Sequence, residues 1–188
     1  MKIPSKICGF AFRGDELDPI EKQLRDLQDD EVLIKNTAAS LNPVDWKVKK
    51  NNNIISGVDG VGIAIKTKDT RIKLLSRYAY HCDLRYDGSF ADYTIVKARA
   101  LIPVNDFIND NLAASMPCPG LSAYQAIQKI PNLFARDVLV NGAGDMLGKV
   151  LVSLLLLHGA RVSIVSNKMH HKEFNNNLPP SSFLPSVK

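Results

Sequence analysis

The sequence predicts an α/β protein whose first part is rich in β-strands and whose second part begins a parallel sheet. Two observations carry that prediction. Over roughly the first 115 residues, short apolar runs alternate with Gly9, Gly57, Gly60, Gly62 and Gly88, the punctuation of an irregular, barrel-like β domain. Further on, VLV at 138–140 leads through NGAGDMLG into an apolar stretch and then RVSIVS, the pattern of a strand–helix–strand unit.

The elements follow in order. EVLIKNTAA at 31–39 alternates, with Val32, Ile34 and Ala38 on one face and Leu33, Lys35 and Thr37 opposite, so a half-buried strand is expected. Asn42 and Pro43 end it and open a short helical turn, in which Asp45 is expected to cap or brace and Trp46 to pack in the core. KKNNNIISG reads as a loop, and the β-branched run VGIAI at 61–65 as a strand. Two more strands fit the stretch holding Phe90, Tyr93, Ile95 and Val96 and the ALIPV that ends at Val104. PGLSAYQAIQK has helical spacing, with Pro119 suited to a first turn. In the strand–helix–strand unit, Met146, Leu147, Val150, Leu151, Leu154 and Leu155 are expected to form the buried stripe, and Gly159 the cap. Beyond Phe174 the sequence is rich in Asn, Pro and Ser and lacks periodicity. The divisions are therefore 1–116, 117–174 and a low-complexity tail at 175–188.

With 188 residues and a net charge of +5, the chain can bury one good core or two small ones. Its lysines and arginines are scattered, not clustered with aromatics, which argues against a nucleic-acid groove while suiting an anionic phosphate ligand. Three cysteines without CxxC spacing read as reduced thiols. The opening MKIPSKICGFAF lacks a secretory signal pattern, and the longest apolar run, 150–157, is too short to cross a bilayer, so a cytoplasmic protein without a membrane segment is expected.

Gly142, Ala143 and Gly144, followed by a helix from Met146 and Leu147 with Gly148 as third glycine, put small residues where a dinucleotide pyrophosphate approaches the backbone. The spacing is GxGxxxG, and the same glycines also suit a tight turn with close helix packing. At the end of the second strand stands Ser166 with no carboxylate beside it, and Lys168, His170, His171 and Lys172 follow. Such surroundings favour the extra phosphate of NADPH, with Lys168 its best single partner. Asp145 opposes this: it suits a helix cap, but its charge repels a pyrophosphate. Asp145→Gly is expected to tighten NADPH binding.

The strings AASLNPVDWKV, GVDGVG, YAYHCDLRYDGSFADY, ALIPV, MPCPGLSAYQAI and VLVNGAGDMLG, in this order, resemble the medium-chain dehydrogenase/reductase superfamily, most nearly its zinc-independent quinone oxidoreductase branch. The resemblance runs from about Val32 to about Phe174. It implies a GroES-like catalytic domain followed by a Rossmann domain, here only to its first βαβ unit, as in a truncated chain. Val58 and Asp59 match the positions where the zinc-dependent branch has its histidine and glutamate, and His81 beside Cys82 has no second pair at ligand spacing, so no metal is expected.

By the same resemblance Asn42 faces nicotinamide and substrate, its amide hydrogen-bonding a carbonyl oxygen as charge develops. Asn42 also suits a plain turn residue. Ser122 stands where relatives contact the nicotinamide, and Tyr124 lines the cleft or packs in the core. The implied activity is hydride transfer from NADPH to a quinone or an alkene conjugated with a carbonyl. Two other readings stay open: a non-catalytic remnant of such an enzyme, and a basic binding protein that keeps the fold. The resemblance also implies a homodimer, although the family's usual dimer edge lies outside the stretch that carries it.

Overall fold

The computed structural model describes residues 3–47, 53–174, 178 and 182–184. The chain forms two compact units, Met1–Cys118 and Pro119–Lys188.

In the first unit β1 (Lys6–Arg13) and β2 (Glu16–Gln23) make an antiparallel hairpin. The sequence reading did not single it out, although Gly14 and Asp15 form a two-residue turn with Gly14 at φ +66°. Then follow β3 (Glu31–Ser40), the short helix α1 (Pro43–Lys47), β4 (Asp59–Thr67), β5 (Arg77–His81), β6 (Tyr93–Lys97) and β7 (Leu101–Pro103). The last five strands form one antiparallel sheet in the order β6-β3-β4-β5-β7. A helix, α2 (Asp110–Ser115), packs on that sheet, with Asn109 as its N-cap accepting from Leu112 N–H.

The single apolar face expected for β3 is split in two. Val32 and Ile34 join a core of Ala64, Tyr78, Tyr80 and Val96, whereas Ala38 packs with Val61, Ala79, Ala113 and Ala114. A register shift between Asn36 and Ala38 explains this, since one extra residue reverses the alternation downstream. Leu33 is buried as well, so the start of the strand is covered on both faces. Trp46, expected in the core, is instead exposed, because α1 is one short turn that buries Asp45.

Glu31, at the start of β3, is buried and accepts both nitrogens of Arg25 (2.6 and 2.9 Å), the Gln28 N–H and an ion pair from Lys97 at 3.2 Å. The Arg25 fork is the main cause that lowers its pKa to about 2. Folding is therefore favoured by this group above the ordinary carboxylate pKa, and that contribution is lost as pH falls from about 4.5 toward 2. Because Arg25 is half exposed, Glu31→Gln is expected to cost about 1–2 kcal/mol at pH 7 and much less at pH 3, read by urea unfolding at both pH values.

The second unit begins within α3 (Pro117–Ile127), which opens on Pro117 and holds Pro119 in its first turn, as expected. β8 (Asp137–Asn141), α4 (Met146–Leu157) and β9 (Arg161–Val165) form the predicted parallel unit, closed by Gly159 at φ +77°. The buried face of α4 is Gly148, Val152 and Leu155, while Met146 and Leu147 are exposed. Leu155, with the partly buried Leu151 and Leu154, keeps the expected face against the core; apolar residues run almost all round this helix, so periodicity alone misplaces its first turn, where close approach at Gly148 sets the face. After a 3₁₀ turn (Lys168–His170) and α5 (His171–Phe174), the stretch without periodicity contributes to the fold after all. Leu178 enters the core with Phe174, and β10 (Phe183–Leu184) pairs parallel to β9. The sheet order is β10-β9-β8.

Candidate functional site

In the first unit the site is built around Asp59, the first residue of β4, which is fully buried. Strand pairing sets Asp59 directly opposite His81, the last residue of β5. His81 Nδ1 lies 2.6 Å from Asp59 Oδ1. The other carboxylate oxygen accepts from Asn42 Nδ2 at 3.1 Å and from the Cys118 N–H at 2.9 Å. Asn42 is buried, its backbone N–H donates to Asp45 Oδ2 at 2.7 Å, and its amide donates also to Ser40 Oγ at 3.0 Å. Asp45 thus braces the turn, as the sequence indicates.

Two consequences follow for chemistry. Both Nδ2 hydrogens of Asn42 are engaged, one of them on a carboxylate that would repel the amide oxygen, so the free end of the amide is its acceptor. A substrate carbonyl would have to displace Ser40 or Asp59 to gain the hydrogen bond expected from Asn42. His81, by contrast, has Nε2 to offer, because a carboxylate acceptor fixes the proton on Nδ1. The hydrogen bond to Asp59 is the main cause that raises the His81 pKa, with the charges of Asp59 and Asp45 adding to it and burial opposing. Sequence reasoning passed over Asp59 and His81 as chemistry. The available signal was the acid inside the apolar GVDGVG string; its histidine partner emerges only with the strand register.

In the second unit the glycine-rich turn joins β8 to α4. Gly142 adopts φ +83°, and the N–H groups of Gly142 and Ala143 both donate to Val165 O, at 2.9 and 3.3 Å, tying the turn to the end of β9. A Cβ on Gly148 would come within 2.4 Å of Gly142 O and 2.5 Å of Ala143 Cα, so the third glycine lets helix and turn touch. Asp145 is the N-cap of α4, accepting from Gly148 N–H at 2.7 Å. Ser166 is buried at the end of β9, its hydroxyl 3.4 Å from Asn167 O. The side chains of Lys168 and His171 lie outside the described residues.

The His170 ring lies over Gly144, where a Cβ would come within 2.5 Å of its Cδ2. His170 Nδ1 is 3.3 Å from Glu173 Oε1, and Glu173 also pairs with Lys149 of α4. The surroundings are thus less positive than the run of lysines and histidines suggests, because Glu173 folds back among them. Ser122 and Tyr124 are exposed on α3. Among the described residues, no cluster of three or more His, Cys, Asp or Glu could hold a metal ion, and no helix is long and apolar enough to cross a membrane.

No protein-family model matches the chain. In sequence it is 25% identical over 179 residues to a chloroplastic quinone-oxidoreductase homolog of Spinacia oleracea, covering 82% of this chain and 52% of that protein. It is 28% identical over 177 residues to 2-methylene-furan-3-one reductase of Solanum lycopersicum, covering 82% and 45%. The chain spans about half the length of the curated relatives it matches. In structure it matches the quinone oxidoreductase of Coxiella burnetii with a TM-score of 0.83 at 19% identity, covering 97% of this chain and 62% of that one. The CurK enoyl reductase gives a TM-score of 0.83 at 14% identity, covering 97% and 60%.

The fold is that of the medium-chain dehydrogenases/reductases: a β-rich first part, then a parallel βαβ unit. Within that superfamily the chain is similar to the quinone oxidoreductase-like proteins, as its sequence motifs indicate.

Proposed function

We propose that the chain serves NADPH-dependent reduction of a quinone or of an alkene conjugated with a carbonyl. The observation that carries this reading is the glycine turn after β8. It is held by Val165, touched by α4 at Gly148 and followed at the end of β9 by a buried serine instead of an acid. In this reading the backbone of Gly142, Ala143 and Gly144 and the first turn of α4, at Met146, Leu147 and Gly148, receive the pyrophosphate. Ser166 and Lys168 take the 2′-phosphate, and Ser122 contacts the nicotinamide. When bound, the dinucleotide supplies the hydride. Asn42 and Tyr124 orient the acceptor, Asn42 by exchanging one of its present amide partners for it.

A second reading, a non-catalytic relative, is favoured by the same turn's surroundings: the Asp145 carboxylate caps the helix beside it, and the His170 ring, itself paired with Glu173, covers Gly144. Titration with NADPH and, separately, NADH, followed by cofactor fluorescence, decides between them. Preferential binding of NADPH supports the reductase; no binding of either supports the second reading. Asp145→Asn keeps the cap acceptor and removes the charge, so about two- to five-fold tighter NADPH binding is expected, with the difference shrinking at high salt. The cap bond also explains why this variant is a cleaner test than Asp145→Gly, which removes charge and cap together.

A further inference from the structure

We propose that His81 is the proton donor of this reductase and Asp59 the residue that positions it; the proposal rests on the reductase reading above. Three observations point to it. Asp59 is fully buried and holds the imidazole at 2.6 Å through Nδ1, so the ring is oriented and Nε2 is left to act. The His81 side chain is 37% exposed and lines a cleft of about 750 Å³ that lies wholly within the first unit, with Glu31, Arg85, Tyr86, Lys97 and Arg99 also on its walls. Finally, the same carboxylate binds Asn42, so the donor and the residue expected to face the acceptor are fixed to one group.

Hydride addition to the alkene carbon distant from the carbonyl moves the C=C electron pair toward the carbonyl oxygen, which becomes negative. The N–H bond at His81 Nε2 then breaks and an O–H bond forms. The resulting enol returns to the ketone, and the neutral imidazole regains a proton from water in the cleft. Asp59 keeps its hydrogen bond to Nδ1 and so stabilises the imidazolium before transfer. Asn42 Nδ2 can give little to the oxygen, since both its hydrogens are engaged, which leaves His81 as the available donor of this cluster.

The donor form is the imidazolium, so turnover falls as pH rises through the His81 pKa. That pKa lies above the ordinary value because of the Asp59 hydrogen bond and the charges of Asp59 and Asp45, with burial opposing; the other charged groups lining the cleft are Arg25, Asp26, Glu31, Asp83, Arg85, Asp87, Lys97 and Arg99.

The test has two parts. In the chain without cofactor, proton NMR is expected to show the His81 ring titrating above 6.5, and Asp59→Asn is expected to move that midpoint down. With NADPH and cyclohex-2-enone, His81→Gln is expected to lower kcat about 100-fold with less than two-fold change in KM, and added imidazole to restore turnover to His81→Ala. A wild-type chain that turns over while His81→Gln keeps its kcat and pH profile overturns the proton-donor role alone. A wild-type chain that turns over neither cyclohex-2-enone nor phenanthrenequinone overturns the reductase reading, and this proposal with it. Normal titration of His81, unchanged in Asp59→Asn, removes the positioning role whichever way the kinetics fall.

Discussion

Replacing Gly148 by valine is expected to abolish the ordered glycine turn and to destabilise the second unit by about 3 kcal/mol. The added Cβ would meet backbone on both sides, the Gly142 carbonyl oxygen and the Ala143 Cα, and neither is the end of a flexible side chain that can swing away. Relief requires α4 to lift from the turn. Lifting it breaks the Asp145 cap bond to Gly148 N–H and withdraws Val152 and Leu155 from a core they share with Val140, Val162 and Ile164. Thermal unfolding, with amide exchange at β8 and β9, gives the measure. Gly120→Ala is the control: it lies in α3 with nothing within 4 Å of its new Cβ, and helix propensity alone makes it neutral or stabilising by up to about 1 kcal/mol. Equal stability of Gly148→Val and wild type would show that helix and turn do not touch as described.

The second large effect is expected for Asp59→Ala. Three donors converge on this carboxylate, from Asn42, Cys118 and His81, and the Asp59 side chain itself is inaccessible to water. Removing the acceptor takes it from the buried Asn42 amide and the part-buried Cys118 N–H, at a cost of about 3–5 kcal/mol. For a unit of this size that corresponds to a fall of more than about 10 °C in the midpoint of thermal unfolding. Asp59→Asn retains one acceptor oxygen and is expected to lose less than half as much. A fall of only a few degrees in the alanine variant would mean that water reaches the cluster.

Much of the architecture is legible in the residues, and what is not has identifiable physical causes. The parallel unit is plain because strand, small-residue turn, apolar helix and second strand follow within one local stretch. The hairpin at residues 6–23 is harder, because β2 is almost wholly solvated and carries Pro19, so it has no apolar alternation to read. The two-sided burial along β3 comes from a bulge, which no alternation rule foresees. Leu178 and β10 lie in a segment whose composition suggests a solvated tail; a two-residue strand needs only a neighbour's edge, not periodicity of its own. At the candidate site the glycine turn is local and therefore readable. The Asp59–His81 pair is 22 residues apart in sequence and exists only through the pairing of β4 with β5. Asn42 is found by motif, yet its donors are committed by neighbours that the motif does not specify.

The bonds from Gly142 and Ala143 to the Val165 carbonyl have a thermodynamic meaning of their own. A flexible loop that closes on a ligand must surrender its conformational freedom at the moment of binding, and that loss subtracts from affinity. Here the strand end has already restricted the first residues of the turn when the chain folds. Whatever anion settles against that backbone meets a largely preset surface, and the entropy of arranging it has been absorbed by the sheet.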